Sequence, residues 1–202
     1  MKTLEIIGYN RANLGKKSSK DLRREGNVPC VLYGGEKQVH FQAPMILFRE
    51  LVYTPNIHKV LLNVEGEEFE CILQDIQFHP VSEMIMHADF LQISGDKAIK
   101  MNVPVKYVGN SPGVIAGGKL VAKLKKLKVS ALPANMPDYI EVDISELQLG
   151  KSIKVNEIST ENYEILDSPR SPVASVELTR AQRGKQSAEG GDTEEAGDEA
   201  AE

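Results

Sequence analysis

Residues 58–78 read HKVLLNVEGEEFECILQDIQF, and the fold class follows from this stretch. Two runs rich in aliphatic residues, His58–Val64 and Glu68–Phe78, flank the short polar segment Glu65-Gly66-Glu67. Runs of this length and composition are typical of strands, and a short connection that contains Gly is typical of a hairpin. The sequence therefore predicts an antiparallel β-hairpin within the first half of the chain.

The flanking residues extend this β prediction. Further strands are predicted at Leu4–Tyr9, Cys30–Tyr33 and Met84–Ile93. Ser18 or Ser19 is expected to cap a short helix that ends near Gly26, with Asp21 favourable in its first turn. A second helix is expected over Pro44–Tyr53, because proline is well suited to a first helical position. Strands this short and this frequent favour a small barrel or sandwich.

A second part follows the polar turn Ser94-Gly95-Asp96. Residues Ile99–Tyr107 alternate between apolar and polar, which is typical of a half-buried strand. Lys119–Leu132 has leucines at helical spacing, but the neighbouring strands favour a β interpretation. The remaining predictions are strands at Tyr139–Ile144, Ile153–Val155 and Val173–Leu178, and one helical turn at Ser145–Leu147.

Three segments are therefore predicted, 1–94, 95–178 and 179–202. The last is rich in Gly, Ala, Glu and Asp and has no large apolar residue, so we expect a disordered acidic tail. The fold class is mostly β (α+β), with a small N-terminal β-barrel that carries two or three short helices, then a second mostly-β domain.

Composition excludes several protein classes. Apolar residues make up 41% of the 202 residues, yet no apolar run approaches the roughly 18 residues that a membrane helix needs. The first ten residues, MKTLEIIGYN, have Glu5 where a signal peptide has its apolar core, so we expect no secretion. Cys30 and Cys71 lack the spacing of a zinc site, and both are expected to be buried thiols in a reducing cytoplasm.

The net charge of −5 hides a basic segment. Residues 179–202 hold 3 basic and 7 acidic residues and account for most of the negative charge. Residues 11–24 hold 6 basic residues and one acid, Asp21. A partner responds to the local electrostatic field rather than to the total charge. The negative net charge therefore does not exclude a polyanionic partner.

One group of polar residues offers chemistry. His87 and Asp89 are two residues apart in a predicted strand, so they share a face, together with Ile85 and Leu91. Asp75 and Gln77 share a face of the preceding strand, whereas Gln74 alternates to the other face. If the two strands pair, one sheet surface collects these carboxylate, amide and imidazole groups.

Three interpretations of this cluster stay open on the residues alone. It is the polar outer face of a half-buried sheet, or the site of a small hydrolase that uses His87 and Asp89, or a surface that reads RNA. A hydrolase requires an accompanying nucleophile or metal set, and no GxSxG, HExxH or Walker motif is present. RNA reading requires side chains that donate and accept hydrogen bonds, beside cations that contact phosphates, and residues 11–24 supply such cations.

Two segments carry a family resemblance, GKKSSKDLRREGNVPCVLYGG at 15–35 and QDIQFHPVSEMIMHADF at 74–90. They resemble the bacterial ribosomal protein family that binds 5S rRNA at the central protuberance of the large subunit. The second part, with its Gly-Gly-Lys-Leu loop, is similar to the C-terminal domain of the long form, the general stress protein type. The resemblance covers about residues 1–178.

The resemblance implies a barrel that docks on loop E of 5S rRNA. It places the RNA contacts on ten residues: Arg11, Lys16, Ser19, Lys20, Arg23, Tyr33, Gln74, Gln77, His87 and Asp89. Gln74 and Gln77 reach one RNA only if the strand contains a bulge or a strong twist. Asp21 and Phe78 depart from the family pattern, since relatives commonly carry basic residues at these positions.

The sequence thus predicts a non-catalytic ribosomal protein of the large subunit, cytoplasmic and ribosome-associated, with no metal and no cofactor. The second domain is expected to contact neighbouring ribosomal proteins or rRNA. A stress-associated RNA chaperone that visits the ribosome is the alternative. The lysines at 123, 125, 126 and 128 form either a second RNA surface or a solvated face.

Overall fold

A computed structural model describes residues 1–95, 97–160 and 162–179. The predicted acidic tail, apart from Thr179, lies outside the described residues. In the described part, thirteen strands and a few short helices follow one another along the chain, which confirms the mostly-β prediction. None of the helices among these residues has the length and apolarity to cross a membrane.

The first six strands close into a barrel. They are β1 (Lys2–Asn10), β2 (Asn27–Tyr33), β3 (Val39–Pro44), β4 (His58–Val64), β5 (Glu67–Phe78) and β6 (Ile85–Gln92). Their order around the barrel is β1-β3-β2-β6-β5-β4, and β4 pairs with β1 to complete the closure. The β1/β4 and β2/β6 pairs are parallel, and the other pairs are antiparallel. Closure leaves this sheet without a free edge.

The predicted hairpin connects β4 to β5 through a two-residue loop, because Val64 pairs with Glu67. Glu65 and Gly66 both have positive φ, 51° and 99°. This is the combination that a tight hairpin turn requires, and glycine adopts it without steric cost. The Asn63 side-chain oxygen accepts a hydrogen bond from the Gly66 amide at 3.0 Å and holds the turn.

Alternate residues of the six strands fill the barrel interior. Three phenylalanines pack there, with ring centroids 5.7 Å apart for Phe41 and Phe90 and 6.2 Å apart for Phe48 and Phe90. Cys30 and Cys71 lie in the same core as free, fully buried thiols, as predicted. This core fixes which side chains of each strand face outward.

Helix α1 (Lys16–Arg24) begins earlier than the serines predict. Gly15 is its N-cap, and the Ser19 hydroxyl donates to the Gly15 carbonyl at 3.0 Å instead of capping an amide. The Ser19 amide also donates to the Gly15 carbonyl. Both serines therefore lie inside the helix, and neither is at the capping position. Asp21 consequently lies beyond the first turn, whereas Gly26, with φ of 82°, follows the helix end as expected.

The second predicted helix is a 3-10 turn, Met45–Phe48, that continues into α2 (Arg49–Tyr53). Pro44 is the last residue of β3, immediately before this helix. Leu51 and Phe48 are buried and belong to the barrel core.

The later strands form two further sheets. One has the order β10-β7-β9-β12 and the other β11-β13-β8. Their bounds are β7 (Ile99–Val108), β8 (Lys119–Ala122), β9 (Lys126–Ala131), β10 (Ile140–Asp143), β11 (Ser152–Lys154), β12 (Glu164–Ile165) and β13 (Pro172–Glu177). Short helices occur at α3 (Pro112–Ile115) and, as 3-10 turns, at Pro133–Asn135 and Val155–Glu157.

The β interpretation of Lys119–Leu132 is confirmed, because that segment holds β8 and β9. The predicted helical turn at 145–147 is present as a single hydrogen-bonded turn and not as a helix. Asp143 accepts hydrogen bonds from the amide and the hydroxyl of Ser145, and Leu147 then bonds back to Ile144 at 3.1 Å in an isolated turn.

Contacts group the chain into two compact units. The first comprises 1–104, 126–140 and 160–166, and the second comprises 105–125, 141–159 and the segment that starts at Asp167. A smaller core of Ile144, Leu147 and Val176 lies in the second unit. The predicted boundary near residue 94 stays a prediction.

Candidate RNA-binding face

The centre of the candidate site is a close contact between an imidazole and a carboxylate on β6. Ala88 and Phe90 point into the barrel core, so His87 and Asp89, which alternate with them, face outward. His87 Nδ1 and Asp89 Oδ1 are 2.6 Å apart, and their side chains are 26% and 33% exposed. The contact fixes the imidazole orientation and leaves Nε2 as the ring atom that can meet a ligand.

A β-bulge shapes the neighbouring strand. The β5/β6 ladder pairs Leu73 with Phe90 and then Asp75 with Asp89, so Gln74 is an extra residue on β5. Two residues on the bulged strand oppose one on its partner, and the strand bends at that point. The bulge that the predicted RNA contacts require is therefore present.

Burial shows what this bulge does to the side chains. Leu73 and Ile76 pack against the barrel core, while Gln74 and Asp75 between them are both exposed. A regular strand would have placed only one of them outside. Gln74 thus lies on the outer side of the barrel, as does Gln77, three residues further along β5.

A second irregularity lies on β6 itself. Gln77 pairs with His87 and Phe78 pairs with Ile85, which makes Met86 the extra residue. Regular alternation predicted Ile85 on the same face as His87, and this is wrong. Ile85 is buried in the core at 4% exposure, because the register shift reverses the alternation between these two positions.

The basic segment is fastened to this face. Arg23 Nε donates to the Met86 carbonyl at 2.9 Å, which ties α1 to the irregular residue of β6. Near the start of the helix, Arg11 Nη2 donates to the Ser19 hydroxyl at 3.0 Å and to the Asn13 carbonyl at 3.2 Å. Both arginines therefore use part of their hydrogen-bonding capacity within the protein, which no local sequence pattern reveals.

The other predicted residues lie on α1 and β2. Lys16 and Lys20 are exposed on α1. Tyr33 is half-buried on β2, which runs parallel to β6. Partial burial, together with the nearby carboxylates of Asp89 and Asp75, raises the pKa of Tyr33. Its hydroxyl therefore stays protonated near neutral pH and can donate a hydrogen bond.

The ten predicted residues fall into two groups. One group belongs to α1 and the segment before it: Arg11, Lys16, Ser19, Lys20 and Arg23. The other belongs to three adjacent barrel strands, β2, β6 and β5: Tyr33, Gln74, Gln77, His87 and Asp89. The Arg23–Met86 bond joins the groups. Asp75, which the ten do not include, lies opposite Asp89 and is exposed.

The structure offers no thiol nucleophile to the His87–Asp89 pair. Cys30 and Cys71 lie on the core side of the strands, whereas the pair lies on the outer side. Burial raises the pKa of Cys71 to about 12 and also raises the pKa of Cys30. Among residues 1–95, 97–160 and 162–179, no three His, Cys, Asp or Glu side chains are arranged to hold a metal ion.

Two family models match the chain. Residues 6–90 match the ribosomal L25p family, and residues 98–180 match the C-terminal domain of ribosomal protein TL5. The chain is 55% identical over 188 residues to large ribosomal subunit protein bL25 of Cytophaga hutchinsonii, covering 93% of this chain and 98% of the relative. It is 59% identical over 191 residues to the protein of the same name in Amoebophilus asiaticus, covering 94% and 97%.

Proposed function

Because the chain belongs to the bL25 family of large-subunit ribosomal proteins, we propose that its barrel binds 5S rRNA at loop E, in the central protuberance. Membership of this family establishes the general function: the chain is a structural constituent of the large subunit and not an enzyme. The hydrolase interpretation of His87 and Asp89 is therefore wrong.

The half-exposed His87–Asp89 pair beside a basic helix carries this proposal. A carboxylate accepts hydrogen bonds from base amino groups and from 2′-hydroxyls, and an imidazole held by that carboxylate presents its other nitrogen. The pair is pre-oriented by its own 2.6 Å contact, so little side-chain entropy is lost when RNA binds. Such groups suit the irregular base edges of a widened internal loop better than a uniform phosphate backbone.

The basic side chains have the complementary role. Lys16 and Lys20 are exposed and can neutralise phosphates. Arg11 and Arg23 hold α1 in place and present their remaining N–H groups. Helix α1 therefore positions the RNA and speeds its association, whereas β5 and β6 provide the selectivity for loop E.

The segments beyond the barrel have a further role in this proposal. Segment 95–178 contacts neighbouring large-subunit proteins or rRNA, and the chain resides on cytoplasmic ribosomes. Deletion of residues 95–202 is expected to lower ribosome occupancy. Unchanged occupancy would contradict a docking role for that segment.

A titration of 5S rRNA with the full chain tests the central proposal. The RNA is compared with a variant in which loop E is replaced by regular base pairs, at several salt concentrations. We expect tight binding with a moderate salt slope, and a large loss of affinity for the variant RNA. Equal affinity for both RNAs would contradict loop E recognition and leave only general attraction to phosphates.

A further inference from the structure

The lysines of residues 123–128 do not act as one group in the structure. Lys123 Nζ forms an ion pair with Glu177 at 2.7 Å. Lys126 and Lys128 belong instead to β9, where they are exposed and alternate with buried residues. The run is thus divided between Lys123, which follows β8, and the exposed face of β9.

Strand pairing adds a sequence-distant lysine to that face. β7 and β9 are antiparallel, with Lys100 opposite Ser130, Asn102 opposite Lys128 and Pro104 opposite Lys126. Lys100 and Asn102 are also exposed. Side chains of directly or diagonally opposed residues lie within about 5–8 Å of each other at their Cβ atoms. Lys100, Asn102, Lys126 and Lys128 therefore form one surface, which we call the lysine face.

The lysine face lines an open cleft of about 440 Å³. Residues of the barrel strand β5 and of the segment before β4 also line it, among them Gln74 and Asp75. All the lining residues belong to the first compact unit. The charged groups are three lysines and one carboxylate, Asp75, so the cleft carries a net positive charge.

We propose that the lysine face is a second RNA-binding surface, which contacts the phosphate backbone of a double-helical rRNA segment. Lys126 and Lys128 are two residues apart on a strand, a separation of about 7 Å, so their long side chains can reach neighbouring phosphates. The Asn102 amide lies beside them and donates to a phosphate oxygen or to a 2′-hydroxyl.

Two observations favour RNA over an acidic protein. Lysine is depleted at the centres of protein–protein interfaces, but it is a frequent contact to nucleic acid phosphates. In addition, Gln74 belongs both to the cleft lining and to the outer side of β5, where the proposed loop E contacts lie. An RNA bound to the barrel can therefore continue into this cleft.

The inference goes beyond loop E recognition, and the three lysines that test it are not among the ten proposed loop E contacts, so a probe without loop E tests it alone. The full chain is titrated with a regular RNA duplex that has no internal loop, across a series of KCl concentrations. The test variant carries Lys100→Gln, Lys126→Gln and Lys128→Gln. The control variant carries Lys37→Gln, Lys119→Gln and Lys151→Gln, which are exposed positions outside the cleft and remove the same net charge.

We expect the slope of log affinity against log salt to become less steep by about three in the test variant. This is roughly one for each phosphate contact removed. The control variant should keep a slope close to that of the parent. An equal decrease in both variants would mean that only net charge matters and would overturn the proposal. An unchanged slope in the test variant would also overturn it.

A second probe addresses the acidic-protein alternative. Poly-glutamate is titrated with the same three proteins under the same conditions. If the test substitutions abolish poly-glutamate binding but leave duplex RNA binding unchanged, the lysine face recognises acidic protein segments and the RNA proposal is wrong. Thermal unfolding of each variant checks that the β7/β9 pairing persists, and a set of single Lys→Arg changes should retain the parent slope.

Discussion

The contact between His87 and Asp89 makes these two residues dependent on each other. Either substitution, His87→Ala or Asp89→Ala, removes one group of the proposed RNA-binding face and also releases its neighbour from a 2.6 Å contact. We expect each to weaken 5S rRNA binding by about 1–3 kcal/mol, the scale of leaving a polar partner unsatisfied. Calorimetric titration of loop E RNA measures the change.

The double variant distinguishes coupling from two independent contacts. Because the two side chains touch, the combined loss is expected to be smaller than the sum of the single losses. Glu36→Ala, an exposed position on another part of the barrel, serves as the control and should bind like the parent. Parent-like affinity of both single variants would remove these residues from the proposed site.

His58 makes the stability of the fold depend on pH. Its Nε2 lies 2.9 Å from the Thr54 hydroxyl, which itself donates to the Glu50 carbonyl at 2.6 Å, so the imidazole donates to Thr54. Burial, the larger cause, and Lys2 lower the pKa of His58, whereas Glu50 acts in the opposite direction. The unfolded chain, with an ordinary pKa of 6.5, therefore binds more protons than the folded chain as the pH falls through that value.

Stability should consequently decrease as the pH drops below about 6.5. We expect His58→Gln to reduce the difference in free energy of unfolding between about pH 7.5 and about pH 5.5, since glutamine does not titrate in this range. Urea denaturation at the two pH values measures it. His40→Gln, which removes another imidazole of the barrel, is the control, and an equal reduction there would argue against His58 as the source.

At the scale of elements, the bulge in β5 is the feature that can be removed cleanly. Leu73 and Asp75 pair with the consecutive residues Phe90 and Asp89, so deletion of Gln74 makes this part of the ladder regular and keeps the same inward and outward residues, while the irregularity at Met86 remains. We expect this deletion to preserve cooperative unfolding and to weaken loop E binding by about 1–2 kcal/mol, because the bend and one contact are lost.

Gln74→Ala is the matched control for the deletion. It removes the same side chain but keeps the extra backbone residue, and therefore the bend. Its affinity for loop E RNA should fall between those of the parent and the deletion variant. If the deletion and the alanine variant bind equally, the bulge has no role beyond the Gln74 side chain itself.

The elements also show which features a single sequence can and cannot predict. The hairpin at Glu65-Gly66 was predictable, because its turn chemistry is local. The start of α1 was not, because a backbone bond from Ser19 to Gly15 competes with capping. The predicted face of Ile85 was wrong for a different reason. A register shift depends on the partner strand and cannot be read from the local alternation of apolar and polar residues.

The same limit applies to the candidate site. His87 and Asp89 were placed on one face by simple alternation, and the structure confirms their shared face. Other features depend on contacts between residues that are not neighbours in sequence. These are the hydrogen bonds that Arg11 and Arg23 make within the protein, and the surface that Lys100 shares with Lys126 and Lys128. Resemblance to a family supplied the list of ten residues, but only the fold shows how they are joined.

At the scale of the whole molecule, the question is whether the total charge or the local patch governs RNA binding. Residues 180–202 hold three basic and seven acidic residues, so truncation after Thr179 changes the net charge from −5 to −1. At physiological salt the Debye length is about 8 Å, and charges further than this from the RNA are largely screened. The RNA contacts proposed for the basic segment 11–24 are made at much shorter range.

We therefore expect truncation to change the dissociation constant for 5S rRNA by less than about threefold near 0.15 M salt, with nearly the same salt slope, because the slope counts phosphates neutralised in the complex. At about 0.01 M salt, where the Debye length reaches about 30 Å, the truncated chain should bind distinctly faster than the full chain. Stopped-flow association and equilibrium titration at the two salt concentrations separate these effects. A tenfold gain in affinity at the higher salt would mean that the tail competes with RNA for the basic surface, and the local-patch argument would then fail.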